Sequence, residues 1–146
     1  MSFQTEKGTI RWKMHFVSPR DRVFAALATD EGRALYWAES APEVDGQVTF
    51  NILGYEPFSG RILKNDAPSL FTLEYFGTIV EFSLGDDGKG GADLSLVATQ
   101  VNESIRVEMV AGWVSVLMAM KASVDHGVDL RNHDTSRTWN DGYADN

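Results

Sequence analysis

The chain has 146 residues, 43% hydrophobic and 23% charged, the make-up of a single globular domain long enough to bury a core. A formal net charge of −8 argues against a nucleic-acid partner, because phosphate binding needs a cationic stripe, and equally against docking on an anionic membrane. The absence of cysteine excludes disulfides, thiolate nucleophiles and Cys-based metal sites.

The first residues, MSFQTEKGTIRWKM, contain no apolar stretch of signal-peptide type. No uninterrupted apolar run nears the ~20 residues needed to span a bilayer. A soluble cytoplasmic domain without membrane insertion is therefore expected. Ile10, Trp12, Met14 and Phe16 alternate with Arg11, Lys13 and His15, the period-two pattern of a half-buried strand. Ser18-Pro19 with Asp21 reads as an N-cap, a first-turn proline and a first-turn acid, so a helix follows with Val23, Phe24 and Leu27 inward. Gly32 is expected to break it, and Ala34–Trp37 to form a second short helix.

Five strands are then expected in series. Val48, Phe50 and Ile52 alternate with polar residues after the Asp45-Gly46 turn signal. Gly60–Lys64, Leu70–Phe76, Ile79–Leu84 and Leu94–Val101 follow, with Asp86–Gly91 as a hairpin loop. Without β-α-β alternation the sheet should be antiparallel and the class α+β. Arg106–Val124 then reads as one long helix, with Met109, Val110, Trp113, Val116, Leu117, Met120 and Val124 on a single stripe. Those residues serve core packing or the wall of a cavity. Gly112, costly inside a helix by roughly 1 kcal/mol, marks the approach of another backbone or of a ligand. The opposite face, Glu108, Ala111, Ser115, Met118, Ala119, Ala122 and His126, is poor in charge, and so calls for a cover: the C-terminal segment or a second subunit in a homodimer.

Several groups of residues together resemble the START-like, helix-grip superfamily, which includes polyketide cyclases and the major birch-pollen allergen. They are Ser18-Pro19 through Val23-Phe24-Ala25-Ala26-Leu27, Trp37, Val44-Asp45-Gly46, Gly60 with Pro68 and Leu70, and Gly112-Trp113…Leu117…Lys121…Gly127. Within it the sequence is most similar to the branch named after the C-terminal domain of the heat-shock protein 90 ATPase activator. The resemblance implies a curved antiparallel sheet of about six strands gripping one long C-terminal helix around an apolar cavity. It covers nearly all of residues 8–127, within one domain expected to span 1–127; 128–146, with Trp139 and Tyr143, looks like an extension seen in some bacterial members and is expected to dock. The implied ligand is a small hydrophobic molecule, lipid- or polyketide-like, bound without a cofactor. The residues expected to line the cavity are Trp37, Phe50, Ile52, Tyr75, Phe82 and Leu96, with Met109, Trp113, Leu117 and Met120 from the helix.

No catalytic set can be named. His15 should face outward, and His126 and His133 with Asp125, Asp129 and Asp134 match no compact metal-ligand spacing. Gly85–Gly91 does not precede a helix, so it is no phosphate cradle. Glu74 faces water if Phe71, Leu73 and Tyr75 face inward; the opposite register would make it a buried general base. Alternatives to simple binding are an aromatase/cyclase-like enzyme acting through Tyr75 or Glu74, and a protein-interaction or chaperone-regulating domain.

Overall fold

The computed structural model describes residues 4–146. In chain order the elements are β1 (Ile10–Phe16), α1 (Arg20–Ala28), α2 (Asp30–Ala34), β2 (Glu43–Val44), β3 (Gln47–Phe50), β4 (Phe58–Asp66), β5 (Leu70–Tyr75), β6 (Thr78–Asp86), β7 (Ala92–Thr99) and α3 (Arg106–His126). The strands form one antiparallel sheet in the order β1-β7-β6-β5-β4-β3-β2. It has seven strands where about six were expected. The extra one is β2, a two-residue strand paired with β3 across Asp45-Gly46, too short to show alternation. Both turn residues take positive φ, 51° and 80°, as a tight hairpin requires.

The short helices differ from expectation in a way that local geometry explains. Ser18 does not cap α1. The Pro19 carbonyl accepts the first helical bonds, from Arg22 and Val23, while the Ser18 hydroxyl donates to the Val124 carbonyl. Asp125 accepts from the backbone N–H groups of Val17 and Ser18, so this corner is tied to the end of α3. The break between α1 and α2 falls at Thr29, whose hydroxyl accepts from the Gly32 N–H. Gly32 therefore lies inside α2, and Leu35–Trp37 forms a turn beyond it. A Cβ at Gly32 would stand 2.5 Å from the Ala25 carbonyl oxygen, so the close approach of the two helices demands glycine here. Arg33 is fully buried, donating to the carbonyls of Ala41 and Leu27 and to Asp30.

The core lies between the concave face of the sheet and the helices. Phe71 and Leu73 of β5, Val80, Phe82 and Leu84 of β6, and Leu94 and Leu96 of β7 are buried against Val23, Phe24 and Leu27 of α1. From α3, Trp113, Leu117, Met120 and Val124 close this core, with Met109, Val110 and Val116 partly buried beside them, the stripe that the helical period predicts. Gly127 ends α3 in the left-handed conformation. By length and composition alone the stretch Glu103–His126 would cross a bilayer, which an uninterrupted-run criterion misses. In this fold its inner stripe packs on the sheet, while Val107, Val114 and Met118 on its outer side are exposed.

Candidate functional site

The two halves of α3 meet the sheet differently. The C-terminal half is packed down; the N-terminal half stands off and leaves a cavity of about 320 Å³. Ile52, Tyr55, Tyr75 and Phe76 form its sheet side, and Trp37 enters from the turn after α2. The helix side runs from Ile105 through Glu108, Met109, Gly112 and Trp113 to Ser115 and Val116. Gly112 has open space where a Cβ would point, so no neighbouring backbone explains the glycine; its missing side chain enlarges the cavity.

Trp37 is the hub of the aromatic wall, with ring centroids 5.0 Å from Phe50, 5.4 Å from Tyr75, 5.8 Å from Phe82 and 6.1 Å from Trp113. Tyr75 and Trp113 lie 5.2 Å apart. The Trp37 indole N–H is buried without an acceptor in hydrogen-bond geometry. Burial pushes the Tyr75 phenol well above its ordinary range, opposed by the nearby Trp37 indole, so Tyr75 is a neutral hydroxyl at physiological pH. Burial also raises the Tyr55 phenol, and the negative charge of Glu108 adds to the rise. An aromatic wall with a few polar groups is the usual layout of a small-molecule site.

Of the ten residues expected from sequence, Trp37, Ile52, Tyr75, Met109 and Trp113 stand on the cavity wall. Phe50, Phe82, Leu117 and Met120 are packed in the closed core behind it. Leu96 is also buried, backing a separate hollow along β1 and β7 beside Trp12. Alternation and helical angle identify which side chains point inward; they do not say where the interior is left unfilled. The wall residues not expected from sequence are Tyr55 and Phe76 in loops, Ile105 just before α3, Glu108 and Ser115 on the helix flank, and Trp139 and Asn146 near the C-terminus. An aromatic residue in a polar tail was the one available signal for Trp139.

The segment after α3 crosses the mouth of the cavity. Its anchor is Arg131, whose nearly buried guanidinium donates to the carbonyls of Ala34 and Ala38 at 2.8 and 2.7 Å and pairs with Asp129. His133 lies between Glu39 and Asp129, 2.7 Å from each. Partial burial disfavours the ionised Asp129, but hydrogen bonds from Arg131 and His133 outweigh it and hold its carboxyl well below the usual range. The bonds to Asp129 and then Glu39 raise the His133 imidazolium above its usual range. Further on, the Trp139 indole donates to Glu108 at 3.0 Å, and Ser115 to the Ala144 carbonyl at 2.7 Å. On the opposite rim Asn140 donates to the Gly54 carbonyl, and Gly54 is so close to Thr138 that an added Cβ would lie 2.9 Å from it. The tail thus takes the Glu108–Ser115 edge of α3 and leaves Ala111, Val114 and Met118 uncovered.

Glu74 is exposed on the outer face, with Phe71, Leu73 and Tyr75 inward, so the buried-base register does not occur. His15 pairs with Asp87 in the loop that precedes β7; hydrogen bonds from His15 and from the Lys89 and Gly91 backbone hold that carboxyl at about 2. Asp125 is engaged by Val17, Ser18 and Lys121, remote from the His133 cluster. Among the described residues no three His, Asp or Glu side chains converge to hold a metal.

No family model matches the chain, and no curated protein does. Solved structures match it in fold. The chain has a helix-grip fold, an antiparallel sheet around a long C-terminal helix. A protein of Staphylococcus saprophyticus, SSP2350, superposes with a TM-score of 0.73 at 21% identity over 84% of this chain and 96% of that one. The Aha1 dimer of Colwellia psychrerythraea gives a TM-score of 0.73 at 15% identity over 82% and 97%. DynU16, a protein of the dynemicin biosynthetic locus, gives 0.71 at 16% identity over 85% of this chain and 49% of its own.

Proposed function

We propose that this protein binds a small hydrophobic molecule, lipid- or polyketide-like, in the cavity under the N-terminal half of α3, and that residues 128–146 form a strap closing it. The observation that carries this reading is the open volume itself. Its size falls within the ~300–1,000 Å³ of ligand pockets, and it persists where Gly112 leaves room beside the rings of Trp37, Tyr75 and Trp113. The likeness of fold to DynU16, a protein of the dynemicin biosynthetic locus, points the same way. The strap rests on polar contacts at exposed positions, each contributing about 0.5–1.5 kcal/mol net at most, so its distal part opens without disturbing the core.

The test is saturable binding of a neutral fluorescent probe, N-phenyl-1-naphthylamine, read through energy transfer from tryptophan. Gly112→Phe, which fills the open volume, should abolish the signal while the protein stays folded. Binding unaffected by Gly112→Phe would place the ligand elsewhere. Product formation from a polyketide substrate, lost on Tyr75→Phe, would move the reading to a cyclase.

A second reading is an interaction domain that pairs with a copy of itself. The exposed stripe of Val107, Val114 and Met118 on α3 supports it, and the fold neighbour from Colwellia psychrerythraea is a dimer. A mass near 32 kDa in native mass spectrometry, reduced by Met118→Glu, would support it; a monomer of 16.2 kDa at micromolar concentration would end it.

A further inference from the structure

The cavity has a charge character that its apolar walls conceal. Among the described residues Glu108 is the one carboxylate side chain on the wall, and no Lys, Arg or His lies there. The nearest cation along the chain, Arg106, spends its guanidinium on Glu103 and on the carbonyls of Gln4 and Thr9. The N-terminal end of α3 would by itself favour an anion, but Glu108 sits in that first turn and offsets it. One Glu108 oxygen accepts from the Trp139 indole; the other takes no hydrogen bond among the described residues. A carboxylate with a spare acceptor thus stands at the N–H edge of an indole at the mouth of an aromatic-walled hollow, in a chain of net charge −8.

Each of these features acts against one class of hydrophobic ligand. A fatty acid or other carboxylate would bring a second negative charge next to Glu108 without a counter-ion, and like charges at short range repel even where water screens them. A neutral ligand could at most donate a hydrogen bond to the spare oxygen and would gain no charge attraction. A cation gains the charge attraction of the carboxylate, and the acidic surface raises its local concentration.

Resting on the cavity reading above, we propose that the ligand is an amphiphilic organic cation: an apolar body within the aromatic hollow and an amine or quaternary ammonium head at the mouth, held by the Glu108 carboxylate.

A charge-matched series tests this: decyltrimethylammonium, decanol and decanoate, each below its micellar concentration, competing against N-phenyl-1-naphthylamine. The cation should displace the probe at a concentration at least tenfold below that of decanoate. Glu108→Gln, which keeps an acceptor for the Trp139 indole, should weaken the cation about tenfold and leave decanol unchanged. Glu108→Lys should reverse the order of cation and anion. Equal competition by all three compounds overturns the proposal while leaving the cavity in place, as does a cation preference that survives Glu108→Gln. Failure of the probe itself to bind removes the cavity reading, and the charge proposal falls with it.

Discussion

The two halves of α3 have nearly the same composition and opposite roles. From Leu117 to Val124 the inner stripe is packed to the density of a core; from Ile105 to Val116 a similar stripe borders open space. What differs is the neighbour. The C-terminal half faces the part of the sheet that α1 also covers, so Phe24 and Phe71 meet edge to face there and the interior is filled. The N-terminal half faces the other end of the sheet, where no second helix lies and only the tail crosses above. The same apolar helix builds a core where two helices share the sheet and a container where it is alone.

Breaking this contrast at its boundary should have the largest effect. Trp113 is both buried and on the wall, so Trp113→Ala is expected to cost about 3–5 kcal/mol and to abolish probe binding. A thermal midpoint within a few degrees of the parent would show that the boundary residue is not part of the core. Within the closed half, Met120→Ala should cost about 2–5 kcal/mol and leave probe affinity unchanged. Met109→Ala, in the open half, should do the reverse, shifting affinity with little change in melting.

Removal of the strap comes next. Truncation after Gly127 deletes the Arg131 bonds to Ala34 and Ala38 and should lower stability by about 1–3 kcal/mol. It should also speed probe release, because Trp139 no longer covers the mouth. Equal melting and equal release rates, with fast amide exchange throughout 128–146, would show that the tail covers nothing. Gly112→Ala should act oppositely, stabilising the protein by up to about 1 kcal/mol, since a methyl group there meets open space.

The smallest effect is a pH dependence of the strap. The folded pKa of His133 is raised, so its contribution is complete below its unfolded value of ~6.5 and is lost as pH rises through the folded one. The folded pKa of Asp129 is depressed, so its contribution is present above its unfolded value of ~3.9 and is lost as pH falls through the folded one. Amide protection across 131–141 should therefore peak in mildly acidic solution and decline towards alkaline pH, and His133→Gln should remove that decline. Both groups are well solvated, which keeps the effect small.

Much of this architecture was legible because alternation and helical period respond to a half-buried environment residue by residue. Ile10, Trp12, Met14 and Phe16 mark β1 without reference to any partner, and the angle around α3 places Trp113, Leu117, Met120 and Val124 inward. The strand β2 was not legible, because two residues hold no period. Nor was the α1–α2 corner, where Gly32 serves close packing instead of ending a helix. Arg33 gives little sequence sign that its charge is buried: beside Asp30, three positions earlier, its acceptors are backbone carbonyls of Leu27 and Ala41 that any residue could supply.

By itself, then, the sequence determined that an antiparallel sheet would be closed by one long apolar helix, since strand and helix periods and the turn residues are local properties of the chain. It determined as well that the molecule would be acidic and free of thiol chemistry. Only the tertiary structure decided where that helix stands clear of the sheet, and so which inward residues are wall and which are core. It alone brought Trp139 to Glu108, thirty-one positions earlier in the chain. Cavities and long-range contacts are set by where whole elements come to rest against one another. That depends on the sum of many packing interactions, and no single stretch of sequence carries it.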